Sequence, residues 1–227
     1  MDRIALQTNV LQANQEKAVE NRKLFDSEGS LVVNLMSAPG AGKTTLLEST
    51  IRRLQGRYRL GVIEGDLQTE LDSERIRALG VPAQQITTGT VCHLDARMVA
   101  RALADFPLRG VELLFIENVG NLICPASYFL GEDARVVICS VTEGEEKPKK
   151  YPVMFHKADA VVLNKIDLTG PCEVDLTVLR ANVRDVNPKA PIFELSSTTG
   201  QGFEAWIEWL GSAVAKRKQL KRAAVSA

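Results

Sequence analysis

Three short stretches of this chain carry side chains whose chemistry is hard to explain as packing. The first is Ser37-Ala38-Pro39-Gly40-Ala41-Gly42-Lys43-Thr44-Thr45, set between the apolar run LVVNLM and the helical pattern LLESTIRRL. Glycines there let backbone N–H groups turn inward around phosphate oxygens, and the following helix presents its positive dipole end. Lys43 has the reach for β- and γ-phosphates, and the Thr44 hydroxyl is placed to ligate Mg²⁺. Gly40, Ala41, Gly42 and Thr45 complete the backbone cradle. Ser37 stands where the P-loop pattern has its first glycine.

The second stretch is Asn164-Lys165-Ile166-Asp167, after the apolar run ADAVVL. Asp167 is suited to accept from the N1–H and 2-amino groups of guanine, a pair that adenine does not offer. The Lys165 stem can cover the base, and Asn164 belongs to the same motif. Ser196 and Ser197, after a later apolar run, resemble a loop that supports the base through backbone N–H groups, or equally a helix N-cap. Glu117 and Gly120 close the run at 112–116. The acid is suited to Mg²⁺, and the glycine allows an N–H to approach the γ-phosphate. Asp66, in Glu64-Gly65-Asp66, is the second acidic candidate, or else a solvated strand end. Lys43, Thr44, Asp66 and Glu117 are thus the expected catalytic set, with Thr44, Asp66 and Glu117 around Mg²⁺. No evident general base presents itself, which suits slow hydrolysis or completion of the site by a second protomer.

The third stretch is Cys92-His93 before a helix, with Cys124-Pro125 just beyond the Glu117–Gly120 turn. Two thiolates and an imidazole suit Zn²⁺ or Ni²⁺ and are poor ligands for Mg²⁺. A nearby helix N-terminus favours the thiolate. Spacing alone is equally that of a buried thiol beside a surface histidine, because neighbours in extended backbone point apart. Position favours the metal: an ion at Cys124 would feel the nucleotide state. Cys139, inside an apolar run, is expected in the core, and Cys172 is read as incidental.

The elements that must hold these groups alternate. Strands are expected at 31–36, 59–64, 112–116, 135–140, 159–163 and 191–195, with a weaker one near 84–86. Helices are expected at 43–55, 68–79, 94–106, 173–186 and 201–218. Near-continuous apolar strands alternating with helices imply an α/β P-loop NTPase fold, a mostly parallel sheet covered on both faces. Residues 4–25 read as an amphipathic helix, with Ile4, Leu11, Ala18 and Phe25 at seven-residue spacing beside Val10, Val19 and Leu24. The organisation expected is an N-terminal helical extension (1–29), a nucleotide-binding domain (30–218) and a frayed basic tail (219–227).

Composition narrows the partners. With 28 basic and 28 acidic residues the net charge is zero, which gives no general attraction to nucleic acid or anionic membrane. Apolar runs are strand-sized, too short to span a bilayer. Four cysteines without a secretory pattern suit reduced thiols in the cytoplasm.

Taken in order, SAPGAGKTT, EGDLQTELD, TGTVCHLDARM, ENVGNLICPA, SVTEGEEKPKKYPVMF and NKIDL resemble the HypB family over about residues 30–210. These are GTPases that help deliver nickel during nickel–iron hydrogenase maturation. They belong to a class of dimeric P-loop proteins related to the signal-recognition-particle GTPases and the nitrogenase iron protein. The resemblance implies GTP/GDP and Mg²⁺ in the first site and Ni²⁺ or Zn²⁺ at Cys92, His93 and Cys124, at a subunit interface. It also implies a GTP-dependent homodimer, a HypA-type metallochaperone as partner, and the hydrogenase large subunit as eventual recipient. Many members carry an N-terminal cysteine-rich or histidine-rich nickel store. This chain has neither, and only two histidines, His93 and His156, so its first helix is expected to be structural or protein-binding. The competing readings are an accessory GTPase for urease or for a cobalamin enzyme, and a metal-binding scaffold with a vestigial nucleotide pocket. The urease family has a Cys-Pro-His motif that is missing here.

Overall fold

The computed structural model describes residues 3–68 and 71–225. Helix α1 (Arg3–Glu28) leads into β1 (Leu31–Ser37), α2 (Lys43–Leu54), β2 (Leu60–Asp66), α3 (Leu71–Arg77), β3 (Ala83–Thr87), α4 (Ala96–Asp105) and β4 (Leu113–Glu117). The chain continues through β5 (Ala134–Ser140), the short α5 (Lys147–Lys150) and α6 (Pro152–His156), β6 (Ala160–Asn164), α7 (Leu176–Val186), β7 (Ile192–Glu194) and α8 (Phe203–Val225). The strands form one sheet in the order β3-β2-β4-β1-β5-β6-β7, and every pairing is parallel. Strand order reverses around β1, so its C-terminal end opens at the crevice where such sheets bind ligands.

Successive β1 side chains serve different layers, as the strand period requires. Leu31, Val33 and Leu35 join Leu46, Leu47, Ile51 and Leu54 of α2 and Phe203, Trp206 and Leu210 of α8. Val32 packs instead with Phe25 of α1 and Val99 of α4, and Met36 with Leu179 and Val183 of α7. Burying each such side chain contributes about 1.5–3 kcal/mol. Two-faced coverage explains the unbroken apolar runs. The Trp206 indole N–H donates to Thr50 Oγ1 at 2.9 Å, so the largest core side chain leaves no buried donor unpaired.

The differences from the sequence expectation are the short α5 and α6, which were not expected, and the helix ends. Asp95 and Asp175 cap α4 and α7 by accepting from Met98 N and Thr177 N, so both helices begin later than 94 and 173. α3 is shorter than 68–79, and residues 69–70 lie outside the described part. The segment from 219, read as a tail, continues α8 through Val225. It docks on the end of α1: Lys221 Nζ donates to the Glu28 carbonyl at 2.6 Å, and Arg217 pairs with Asp26. On α1, Ala18 and Phe25 are buried as their spacing predicts, but Val10, Val19 and Leu24 face outward. The seam is completed by two buried asparagines, Asn14 and Asn21. Asn14 bonds the Ala96 N–H and the Phe129 carbonyl, and Asn21 the carbonyls of Ala96 and Leu130. Among the described residues, no helix is long and apolar enough to cross a membrane.

Candidate functional site: a phosphate cradle beside a thiolate–imidazole cluster

Between β1 and α2 the backbone turns through left-handed conformations at Gly40 (φ +75°) and Gly42 (φ +93°). Only glycine takes these values without strain. At Gly42 a Cβ would also lie 2.6 Å from Asn164 Nδ2. Ser37, the departure from the P-loop pattern, is the last residue of β1 and needs no positive φ. Its hydroxyl accepts from Lys43 Nζ at 3.2 Å, which aims the lysine back over the loop. The cradle opens into a cavity of about 370 Å³ lined by Gly40, Lys43, Thr45, Asp66, Gly120 and Lys165, among others.

The floor of that cavity is acidic. β2 and β4 are adjacent and in register, with Glu64 opposite Glu117. Asp72 at the start of α3 joins them, carboxylate oxygens of all three lying within 4.8 Å of one another. Glu117 Oε1 accepts from the Thr44 hydroxyl at 2.8 Å, while Glu117 Oε2 and Glu64 Oε2 are buried without a partner among the described residues. Burial, with the charge of Glu117 next, pushes the Glu64 carboxyl up to about 8. Burial also raises Glu117, to about 7, against the opposing pull of Lys43 and the Thr44 hydrogen bond. Three crowded carboxyls with orphaned buried oxygens and a threonine hydroxyl fit a hard divalent cation. Asp66 lines the same cavity but is not a member of this cluster, and its Oδ1 accepts from Leu67 N at 2.7 Å. The sequence reading named Asp66 beside Glu117; the residues gathered around Glu117 are Glu64 and Asp72.

At the far side of the cradle, Asn164 locks the base-side motif to the phosphate loop. Its Nδ2 donates to the Ala41 carbonyl at 2.9 Å, and its Oδ1 accepts from Ser197 N and Oγ at 3.1 and 2.8 Å. Lys165, at φ +62°, donates to the Gly40 carbonyl at 2.7 Å. Ser196 Oγ accepts from Thr199 N at 3.1 Å, shaping the turn before α8. Asp167 is exposed and makes no hydrogen bond or ion pair among the described residues, leaving both carboxylate oxygens open.

Cys92, His93 and Cys124 do come together. Their ligand atoms lie within 4.8 Å of one another, with the two sulfurs 3.3 Å apart. The bend at Cys92-His93 overcomes the strand-like divergence of neighbouring side chains. Tyr128 stacks on the imidazole, ring centroids 3.9 Å apart and planes 26° off parallel. His93 Nδ1 is buried without a partner among the described residues, and burial lowers the ring's affinity for a proton, leaving a neutral imidazole ready to donate a lone pair. Asp95 occupies the N-cap of α4, and the Cys124 thiol is pushed up, first by its hydrogen bond with Cys92 and then by burial. Cys139 is buried in the core as expected and Cys172 is exposed.

The nucleotide-binding domain of the CobW/HypB/UreG family matches residues 31–194. The hydrogenase maturation factor HypB of Escherichia coli K12 is 49% identical over 207 residues, covering 91% of this chain and 71% of that protein. Among solved structures, HypB of Archaeoglobus fulgidus aligns with a TM-score of 0.84 at 41% identity, over 89% of this chain and 99% of that one. The chain belongs to the HypB family. HypB of Helicobacter pylori, solved in complex with nickel, aligns with a TM-score of 0.85 at 40% identity, over 90% of this chain and 96% of that one.

The neighbours of these sites that the sequence reading did not single out share one property: each meets its partner across strands or loops. Glu64 reaches Glu117 only because β2 lies beside β4. Asn118, Asn121 and Tyr128 act on the Cys92–His93 bend from a segment distant in sequence. The one available signal was a glutamate at the end of each of two apolar strands.

Proposed function

We propose that this chain binds GTP with Mg²⁺, hydrolyses it slowly, and carries nickel or zinc at Cys92, His93 and Cys124 for insertion during nickel–iron hydrogenase maturation. The observation that carries this reading is the convergence of Cys92 and His93 on Cys124, which follows Glu117, the acid that contacts the phosphate loop, by a few residues. Lys43 and the backbone N–H groups of residues 40–45 hold the β- and γ-phosphates. Thr44 and Glu117, with Glu64 and Asp72 or Asp66, would hold Mg²⁺, whose charge offsets that developing on the phosphate oxygens. Asp167 selects guanine through two charge-assisted hydrogen bonds, with Lys165 covering the base and the Ser196–Ser197 turn behind it.

Three protein ligands leave a coordination position open, which suits an ion that is received and passed on. The ion is then cargo. A GTP-dependent homodimer, a HypA-type metallochaperone and the hydrogenase large subunit are the partners this reading implies, all met in the cytoplasm. The test is Ni²⁺ and Zn²⁺ titration of the full chain against a competing chelator, comparing wild type with Cys92→Ser and Cys124→Ser. Each variant is expected to lose metal affinity by at least about 10-fold while GTP affinity stays within about 2-fold, since removing a ligand costs no less than removing an outer partner. Equal metal affinity in all three proteins overturns the ligand assignment.

A further inference from the structure

Two of the three carboxylates on the cavity floor are carried by strands, and the third is not. Asp72 stands in the first turn of α3, a helix of seven residues whose buried side chains are Ser73 and Ile76. One apolar side chain is a small anchor for a group that must stay beside Glu117. The polar tie is Arg75, three residues on and therefore over the same face. Its Nη1 donates to Asp72 Oδ1 at 2.9 Å. Its Nε and Nη2 donate to the two carboxylate oxygens of Glu48 at 2.9 and 3.0 Å.

Glu48 belongs to α2 and follows Thr44 by four residues, which puts both on one face of that helix. The helix that presents the Thr44 hydroxyl to Glu117 thus also holds Asp72, through a single planar guanidinium. Glu48 is mostly covered, while Arg75 is half-exposed and lines the phosphate cavity. A fork that meets one carboxylate with two parallel bonds and a second with another fixes direction as well as charge. An ammonium group at the same place supplies charge alone.

We propose that Arg75 is a positioning residue that fixes Asp72 against α2 and thereby sets the affinity of the phosphate site for its divalent cation. This rests on the nucleotide-binding reading above and deepens it by naming what places the one floor carboxylate that the sheet does not. Without Arg75, Glu64 and Glu117 stay in register on β2 and β4, whereas Asp72 loses its tie to the helix behind the phosphate loop. Outer partners that orient metal-binding groups are typically worth about 10–100-fold in metal affinity.

The test uses the full chain loaded with GDP, and Mn²⁺ as the probe, with the free ion read by electron paramagnetic resonance. Mn²⁺ prefers oxygen ligands, so the thiolate cluster does not compete for it. GDP affinity is measured in parallel in EDTA. Arg75→Ala is expected to weaken Mn²⁺ binding by about 10-fold or more, with GDP affinity in EDTA within about 2-fold of wild type. Arg75→Lys keeps the charge and loses the fork, and should fall nearly as far. Glu48→Gln keeps one acceptor for the guanidinium and should lie between wild type and Arg75→Ala. In an Asp72→Asn background, Arg75→Ala should cost no more than about a further 2-fold, the non-additivity of two residues that act through each other.

Wild-type Mn²⁺ affinity in both Arg75→Ala and Arg75→Lys overturns the proposal. So does an equal loss of GDP affinity in EDTA, because Arg75 would then bind phosphate itself. A full additional loss in the Asp72→Asn background overturns it too, since Arg75 would be acting on something other than Asp72. Should Arg75→Ala fail to fold, Arg75→Lys carries the same comparisons. A wild type that binds Mn²⁺ no better with GDP than without it removes the cation site itself, and with it the reading on which this one rests.

Discussion

The two centres are built in opposite ways. The acidic floor under the phosphate loop is fixed by the sheet: Glu64 and Glu117 sit at register-paired positions of adjacent strands and are almost fully buried. The thiolate–imidazole cluster is carried by a bend and a single helical turn, half-buried, with asparagine side chains holding the pieces. Strand-borne groups cannot move apart, so their crowding persists as raised proton affinity until a cation relieves it. Loop-borne ligands can change spacing at little cost. A centre for chemistry on phosphate and a centre that must release its ion call for this difference.

The largest expected effect tests whether the base side is as rigid as the floor. Asp167 is free to meet a ligand, and two charge-assisted hydrogen bonds at about 1.5–3 kcal/mol each are at stake. Asp167→Ala should lower selectivity for GTP over ATP by about 100-fold or more, read by nucleotide titration with each purine. Unchanged selectivity would move the base pocket elsewhere. A smaller effect probes the flexible centre. Tyr128→Ala removes the ring stacked on His93 and should weaken nickel binding by about 10-fold, as loss of an outer partner typically does, with GTP affinity unchanged. A variant with wild-type nickel affinity would mean that the imidazole orients without that support.

The contrast also explains what the sequence disclosed. The phosphate loop and the Asn164–Asp167 motif were legible because each residue type is demanded by chemistry at a fixed local spacing, and the clustering of Cys92, His93 and Cys124 because their side-chain types stand out in the sequence. The parallel sheet was legible from runs such as LVVNLM, buried on both faces. Asp72 and the Glu64–Glu117 pair were not, because their contact depends on strand order, which local pattern does not specify. Asn14 and Asn21 escaped for a different reason. A search for apolar periodicity passes over a polar side chain that is buried to satisfy loop backbone, and their carbonyl and amide partners at Ala96, Phe129 and Leu130 lie far along the chain. The outward Val10, Val19 and Leu24 had the opposite effect, widening the expected apolar stripe because side-chain type alone does not report burial.

The smallest effect is also the sharpest comparison of floor and loops, since it asks whether carboxyl crowding is stored in the fold. Glu64 holds its proton up to about 8, against an ordinary value of 4.5, through burial and then the charge of Glu117. A group whose proton affinity is raised by folding contributes stability that is fully present below the unfolded value and lost as pH rises through the folded one. Without Mg²⁺ or nucleotide, the chain should therefore lose stability steadily from about pH 5 to pH 8.5, and Glu117, raised to about 7, acts in the same direction. Glu64→Gln makes the neutral form permanent. It should flatten that slope and raise the melting temperature at pH 8 by about 2–4 °C, the shift that roughly 1 kcal/mol produces at this chain length. Because a cation needs the ionised carboxylates, Mg²⁺ should stabilise the wild type more at pH 8 than at pH 5.5, and the variant less at either. Thermal unfolding across that range checks all three, and parallel slopes in wild type and Glu64→Gln would show that the cluster carries no stored repulsion.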